Sequence, residues 1–227
     1  MPTLILARHG RTAANAKGVL AGRTPGVGLD ETGRDQARAA AERLTDVPLT
    51  MIVSSPLQRC RETAAVLAAG HRIRVRTDAG LNECDYGDWA GQKLSTLARR
   101  KLWTTVQRQP SAAHFPGGES LQEMSARAVR AVRRRDAAVA EEHGAAATWL
   151  AVSHGDIIKA ILADALGMHL DEFQRIVVDP ASLSVIRYTP ERTFVLTTNS
   201  TSGPLAAPTG RPTSAAVVGG GAGPATS

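Results

Sequence analysis

Four short stretches of the chain carry side chains that could do chemistry together: Arg8-His9-Gly10, Arg59, Glu83 and His154-Gly155. A lone histidine is most often structural, and an arginine at a loop is most often solvated. Two histidines, two arginines and one carboxylate that converge would be a different object. Convergent cations of this kind suit a dianionic phosphate, because the planar arginine fork engages two oxygens and stays charged. A metal is the weaker alternative. An arginine beside each imidazole would repel a cation, and nothing in the set is acidic enough to hold Mg²⁺.

Convergence depends on the elements that carry these residues. Residues 4–7 form a short unbroken apolar run that stops at Arg8, as in a strand buried on both faces. A glycine- and proline-rich loop, AGRTPGVG, leads into a helix running to about Leu44, with Asp30 or Thr32 as cap. A second strand is expected over residues 51–54. Ser55-Pro56-Leu57-Gln58 then reads as a helix start with serine capping and glutamine closing a capping box, which puts Arg59 near the helix's positive end. A third strand is expected over residues 73–77, then a turn holding Glu83. Residues 85–116 are the least regular, with one helix over about residues 94–106. Gly117-Gly118-Glu119-Ser120 opens a long helix that ends at Gly144. The run TWLAV at residues 148–152 repeats the opening design and delivers Ser153-His154-Gly155-Asp156 into a helix reaching Gly167. Two late strands are expected at residues 184–187 and 193–197. Alternating strands and helices predict a three-layer α/β/α sandwich with a mostly parallel sheet. In such a sheet all three basic junctions share one edge, the edge where ligands bind.

The 227 residues suffice for one large domain. It is expected over residues 1–197, followed by a Gly/Pro/Ala/Ser/Thr-rich tail over residues 198–227 that is too poor in apolar groups to order itself. Lys and Arg outnumber Asp and Glu by 27 to 21, but aromatic residues make up only 4% and do not interleave with the arginines. A stacking surface for nucleic acid is therefore not expected. Cys60 and Cys84, the only two cysteines, are too few for a disulfide scaffold or a thiolate metal site. No apolar run approaches the ~18 residues of a membrane span, and the opening run is too short for a secretory signal, so a cytoplasmic location is expected.

LARHGRTAAN, SSPLQRCRETA, LNECDYGDWAGQ, PGGES and VSHGD, in that order across roughly residues 3 to 197, strongly resemble the histidine phosphatase superfamily, in its phosphoglycerate-mutase-like branch. The resemblance implies a phosphohistidine mechanism without cofactor or metal. It matches His9 to the nucleophile, and Arg8, Arg59 and His154 to the pocket around the phosphoryl oxygens. Asn15 matches a further phosphate ligand, and Thr12 shapes the loop. Glu83 matches the proton donor to the leaving oxygen, which then serves as base for water, with Asp85 and Asp156 as lesser candidates. Of the two activities that use these residues, a phosphatase is favoured over a cofactor-dependent phosphoglycerate mutase. No long insertion separates Glu83 from Gly117, and DYGDWAGQ is closer to the phosphatase members. The expected partner is a small phosphorylated metabolite, with no nucleic acid and no membrane, and a homo-oligomer stays open. His71, His114, His143 and His169 are expected at the surface, and Trp89 and Trp103 in packing.

Overall fold

The computed structural model describes residues 2–203 and Leu205. Its strands are β1 (Thr3–Arg8), β2 (Leu49–Ser54), β3 (Val75–Thr77), β4 (Thr148–Ser153), β5 (Leu183–Tyr188) and β6 (Thr193–Ser200). They make one mixed sheet in the order β3-β2-β4-β1-β5-β6. The first four run parallel, while β5 pairs antiparallel with both β1 and β6. The helices are α1 (Ala13–Ala16), α2 (Glu31–Glu42), α3 (Gln58–Ala68), α4 (Leu94–Leu97), α5 (Lys101–Arg108), α6 (Leu121–His143) and α7 (Gly155–Ala165).

Strand alternation explains why both faces are covered. Leu4 and Leu6 of β1 join a core with Met124 and Val132 of α6 and Ile158 and Ile161 of α7. Ile5 and Ala7 point the other way, into a core with Ala40 of α2, Leu44 just after it, and Ala64 and Leu67 of α3. A leucine or isoleucine fully buried in this way contributes roughly 1.5–3 kcal/mol. The unbroken apolar run ahead of Arg8 is thus the signature of a central strand sandwiched between two helical layers. Among the described residues no helix is long and apolar enough to cross a membrane.

The structure corrects several expectations. Strand β3 covers only Val75–Thr77, because edge residues 73 and 74 have no ladder partner. The single helix expected over residues 94–106 is two, α4 and α5, with their turn at residues 98–100. Ser55 does not cap α3: the N-cap position is Leu57, without a side-chain hydrogen bond, and the serine hydroxyl is used elsewhere. Asp30, rather than Thr32, caps α2, accepting from the Gly33 amide at 2.8 Å. Ordered chain continues past residue 197. Strand β6 reaches Ser200, and Arg43 donates to the carbonyls of Ser200 and Gly203. The rest of the expected tail, residue 204 and residues 206–227, lies outside the described residues.

Candidate active site

The carboxyl ends of β1, β2 and β4 lie side by side, in register as Arg8↔Ser153 and Ser54↔Val152. His9 follows β1 directly, Arg59 sits in the first turn of α3 after β2, and His154 is the N-cap of α7 after β4. All three side chains are buried. The His9 amide donates to the Ser153 carbonyl at 3.0 Å, and the Gly10 amide donates to Thr63 Oγ1 at 3.1 Å, tying the loop to β4 and α3. Gly10 itself admits no side chain, since a Cβ there would lie 2.3 Å from the Gly33 carbonyl oxygen.

The His9 ring is oriented by its hydrogen bonds. Nδ1 lies 2.8 Å from the Gly10 carbonyl oxygen, so it carries the proton and donates it there. Nε2 keeps its lone pair and accepts from Arg59 Nε at 3.2 Å. Burial, then the charges of Arg59 and Arg8, hold the His9 pKa well below the usual histidine value, so the ring is neutral at neutral pH. The His154 ring stands 5.2 Å away, edge to face. Its Nδ1 accepts from Arg59 Nη2 at 3.1 Å, and its Nε2 therefore donates to Ser55 Oγ at 2.9 Å. That hydroxyl passes its own proton on to Asn82 Oδ1 at 3.1 Å. The Ser55 hydroxyl is held by these bonds, and its contact with the start of α3 is a long one, to the Leu57 amide at 3.4 Å.

Arg8 donates from Nη1 to the Val178 carbonyl at 2.6 Å, and Arg59 donates from Nη2 to the Gly22 carbonyl at 2.8 Å. Arg8 Nε and Arg59 Nη1 are buried with no hydrogen-bond partner. A buried N–H without an acceptor costs on the order of 1–3 kcal/mol. Both belong to guanidinium groups lining one cavity of about 320 Å³, shared with His9, Asn15 and Glu83. The two guanidinium groups give the cavity the positive charge that suits an anion.

A match to the family described as histidine phosphatase superfamily (branch 1) spans residues 4–201. The chain belongs to that superfamily. A bifunctional protein of Mycobacterium tuberculosis is 35% identical over 192 residues, covering 82% of this chain and 50% of that protein. The chain thus spans about half the length of the first relatives it matches. Phosphoserine phosphatase 1 of Hydrogenobacter thermophilus is 31% identical, with 88% and 93% of the two chains covered. A 2,3-bisphosphoglycerate-dependent phosphoglycerate mutase 2 of Gloeobacter violaceus is 30% identical, with 79% and 82% covered. Among solved structures, a mycobacterial glucosyl-3-phosphoglycerate phosphatase in complex with VO3 superposes with a TM-score of 0.79 at 28% identity, covering 88% of this chain and all of that one. The fold is the phosphoglycerate-mutase-like one, and the relatives include both phosphatases and mutases.

In this superfamily member the buried carboxylate Glu83 completes the cluster, its Oε2 3.8 Å from His154 Nδ1. That contact is not an ion pair, because burial and neighbouring arginines also hold His154 well below the usual histidine pKa. Burial, followed by the negative charge of Asp156, pushes Glu83 up to about 7. Asp156 is occupied, accepting from the Tyr86 hydroxyl at 2.8 Å and facing Lys159 Nζ at 3.5 Å. Asp85 is turned aside to Arg23 and does not line the cavity. Asn15 lines it, with its Oδ1 used in the Thr12 capping box that closes α1. His114, His143 and His169 lie at the surface, and His71 is half-buried, all away from the cluster.

Sequence reasoning missed the residues that fix Glu83. Arg23 Nε and Arg127 Nη2 both donate to the Glu83 carbonyl, at 2.9 and 3.0 Å. The two arginines are themselves clamped by Glu119, at 2.9 and 2.6 Å. The Leu81 carbonyl, two residues before Glu83, accepts from Ser153 Oγ at 2.8 Å. The PGGES stretch contained Glu119 from the start, but its partners are 96 and 8 residues away along the chain, and only the fold brings them together.

Proposed function

We propose that this chain is a phosphomonoester hydrolase working through a phosphohistidine on His9. The observation that carries the proposal is the pair of buried guanidinium N–H groups on Arg8 and Arg59, left without acceptors beside His9 Nε2, whose lone pair is turned to Arg59. A phosphoryl dianion supplies the missing acceptors. As it enters, Arg59 Nε exchanges the His9 nitrogen for a phosphoryl oxygen and frees the nucleophile. Nε2 then attacks phosphorus, the P–O ester bond breaks, and protonated Glu83 delivers its proton to the departing oxygen, releasing an alcohol. In the second half, the Glu83 carboxylate takes a proton from water, the hydroxide oxygen attacks phosphorus, and the N–P bond breaks to give inorganic phosphate. Arg8, Arg59 and the Asn15 amide donate to the equatorial oxygens, where preorganised donors are each commonly worth ~3 kcal/mol, and His154 holds Arg59 in place through its Nδ1.

A carboxyl with a pKa of about 7 suits both halves, being available as acid and as base near neutrality. A phosphoglycerate mutase uses the same residues, and the Gloeobacter relative gives that reading its support. Hydrolysis is favoured because a mutase must hold its phosphoenzyme away from water, whereas the mouth of this cavity is open to solvent at the exposed Leu94. Assays with an aryl phosphate and with 3-phosphoglycerate, the latter with and without 2,3-bisphosphoglycerate, separate the two. Phosphate release that is indifferent to the bisphosphate is expected; cofactor-stimulated interconversion of the phosphoglycerates without net phosphate release would overturn the assignment.

A further inference from the structure

The cavity extends well beyond the cluster that would hold a phosphoryl group, and its outer wall is of a different character. Val19 and Leu20 after α1, Leu94 of α4, and Trp103 and Val106 of α5 line it. Trp103 stacks on Trp89 at 6.3 Å with the rings 21° apart, so its position is fixed by a buried partner. Leu94 is one of the few large apolar side chains exposed among the described residues, 39% accessible, and it sits at this mouth.

Charge points the same way. Among the described residues lining the cavity, the cations are Arg8, Arg59 and Lys159, and the first two face the phosphoryl position. Lys159 is committed: its Nζ donates to Gln174 Oε1 at 3.1 Å, faces Asp156 at 3.5 Å and lies over the Phe173 ring at 5.7 Å. Arg23, from the loop beside the cavity, is spent on Glu83, Asp85 and Glu119. A leaving group with its own carboxylate or second phosphate would meet Asp156 and apolar carbon, and among the described residues lining the cavity Lys159 is the only cation away from the phosphoryl position.

Resting on the hydrolase reading, we infer that the substrate is a monophosphate ester whose alcohol carries a bulky apolar or aromatic group and no second anionic group. The Trp103–Leu94 wall is the specificity surface. It holds the alcohol portion by contact with apolar carbon, while the phosphoryl end is held by charge. This also separates the chain from a mutase, whose bisphosphorylated cofactor needs a second cationic subsite.

The test is a series of primary alkyl phosphates with nearly constant leaving-group basicity: ethyl, butyl, hexyl and 3-phenylpropyl phosphate, with 3-phosphoglycerate alongside. Because each added methylene in an apolar pocket is worth roughly tenfold or more at best, kcat/KM should rise at least about tenfold from ethyl to 3-phenylpropyl phosphate. For 3-phosphoglycerate it should fall at or below the ethyl ester. Trp103→Ala and Leu94→Ser should each shrink the phenylpropyl-to-ethyl ratio severalfold, and Trp103→Phe should restore most of it. The Leu94 change lies at the surface and keeps the test alive if the tryptophan variant does not fold. A flat alkyl series, or a preference for 3-phosphoglycerate, overturns the substrate inference while leaving the hydrolase standing. Absence of turnover on every ester, aryl phosphates included, overturns both.

Discussion

Each side chain of the cluster is held in a protonation state that its neighbours impose. His9 and His154 are kept neutral by burial and by the two arginines, which leaves one lone pair on each ring turned to Arg59. Glu83 is pushed the opposite way, to about 7, by burial and by Asp156. Its proton is therefore retained to neutrality and lost above it. Turnover of esters with poor leaving groups should fall as pH rises through about 7, and Glu83→Gln should slow them by ~10²–10⁴-fold while sparing activated aryl phosphates. Asp156→Asn removes the charge that raises Glu83. The alkaline limb of the kcat/KM profile should then move to lower pH, and an unmoved limb would mean that Glu83 is not the titrating acid. Cys60 and Cys84 have no place in this chemistry. Both thiols are buried with their pKa values raised, Cys60 against the His154 ring.

At the scale of elements, much was legible before any coordinates. Two apolar runs ending in a histidine-glycine pair read correctly as parallel strands β1 and β4, because only a strand covered on both faces is apolar at every position. The helix read as opened by Gly117-Gly118-Glu119-Ser120 and ended at Gly144 is likewise present as α6, and the structure adds a Ser120–Glu123 capping box at its start. The miss at Ser55 was of another kind. Its local pattern favours a cap, but the hydroxyl gains more by bridging buried His154 and Asn82, a choice made by tertiary contacts 99 and 27 residues distant. The Glu119 clamp was illegible for the same reason. It exists because the Glu83 segment and the PGGES turn cross at Gly87 and Gly118, so closely that a Cβ on Gly118 would lie 2.1 Å from the Asp85 carbonyl oxygen. Glu119→Gln weakens the hold of Arg23 and Arg127 on the Glu83 backbone without touching the cavity. Steady-state kinetics should show kcat for alkyl esters down about tenfold with KM nearly constant. An equal loss with aryl phosphates would point to general disruption instead.

For the molecule as a whole, the sheet gathers its reactive groups at one edge and leaves an unrelated strain elsewhere. Asp136 of α6 is buried, its Oδ1 accepting from Trp149 Nε1 at 3.0 Å while Oδ2 has no partner, and burial lifts its pKa to about 6 from 3.8. The native state therefore binds this proton more tightly than the unfolded chain does. Its contribution is fully present below about pH 4 and is lost as pH rises through 6, amounting to about 2–3 kcal/mol. Asp136→Asn keeps the acceptor for Trp149 and removes the charge. The gap in Tm between this variant and the parent should widen by several degrees from pH 5 to pH 8 in thermal unfolding. A constant gap would show that Asp136 does not titrate there. The proposed transfer of a phosphoryl group onto Nε2 of His9 is independent of Asp136. The most direct measurement is rapid quench with a phosphoryl-labelled aryl phosphate, followed by mapping of the labelled residue. Label on His9 Nε2, stable to base, labile to acid and absent in His9→Ala, is the expected result. Steady hydrolysis that persists in His9→Ala, or label on any other residue, would contradict it.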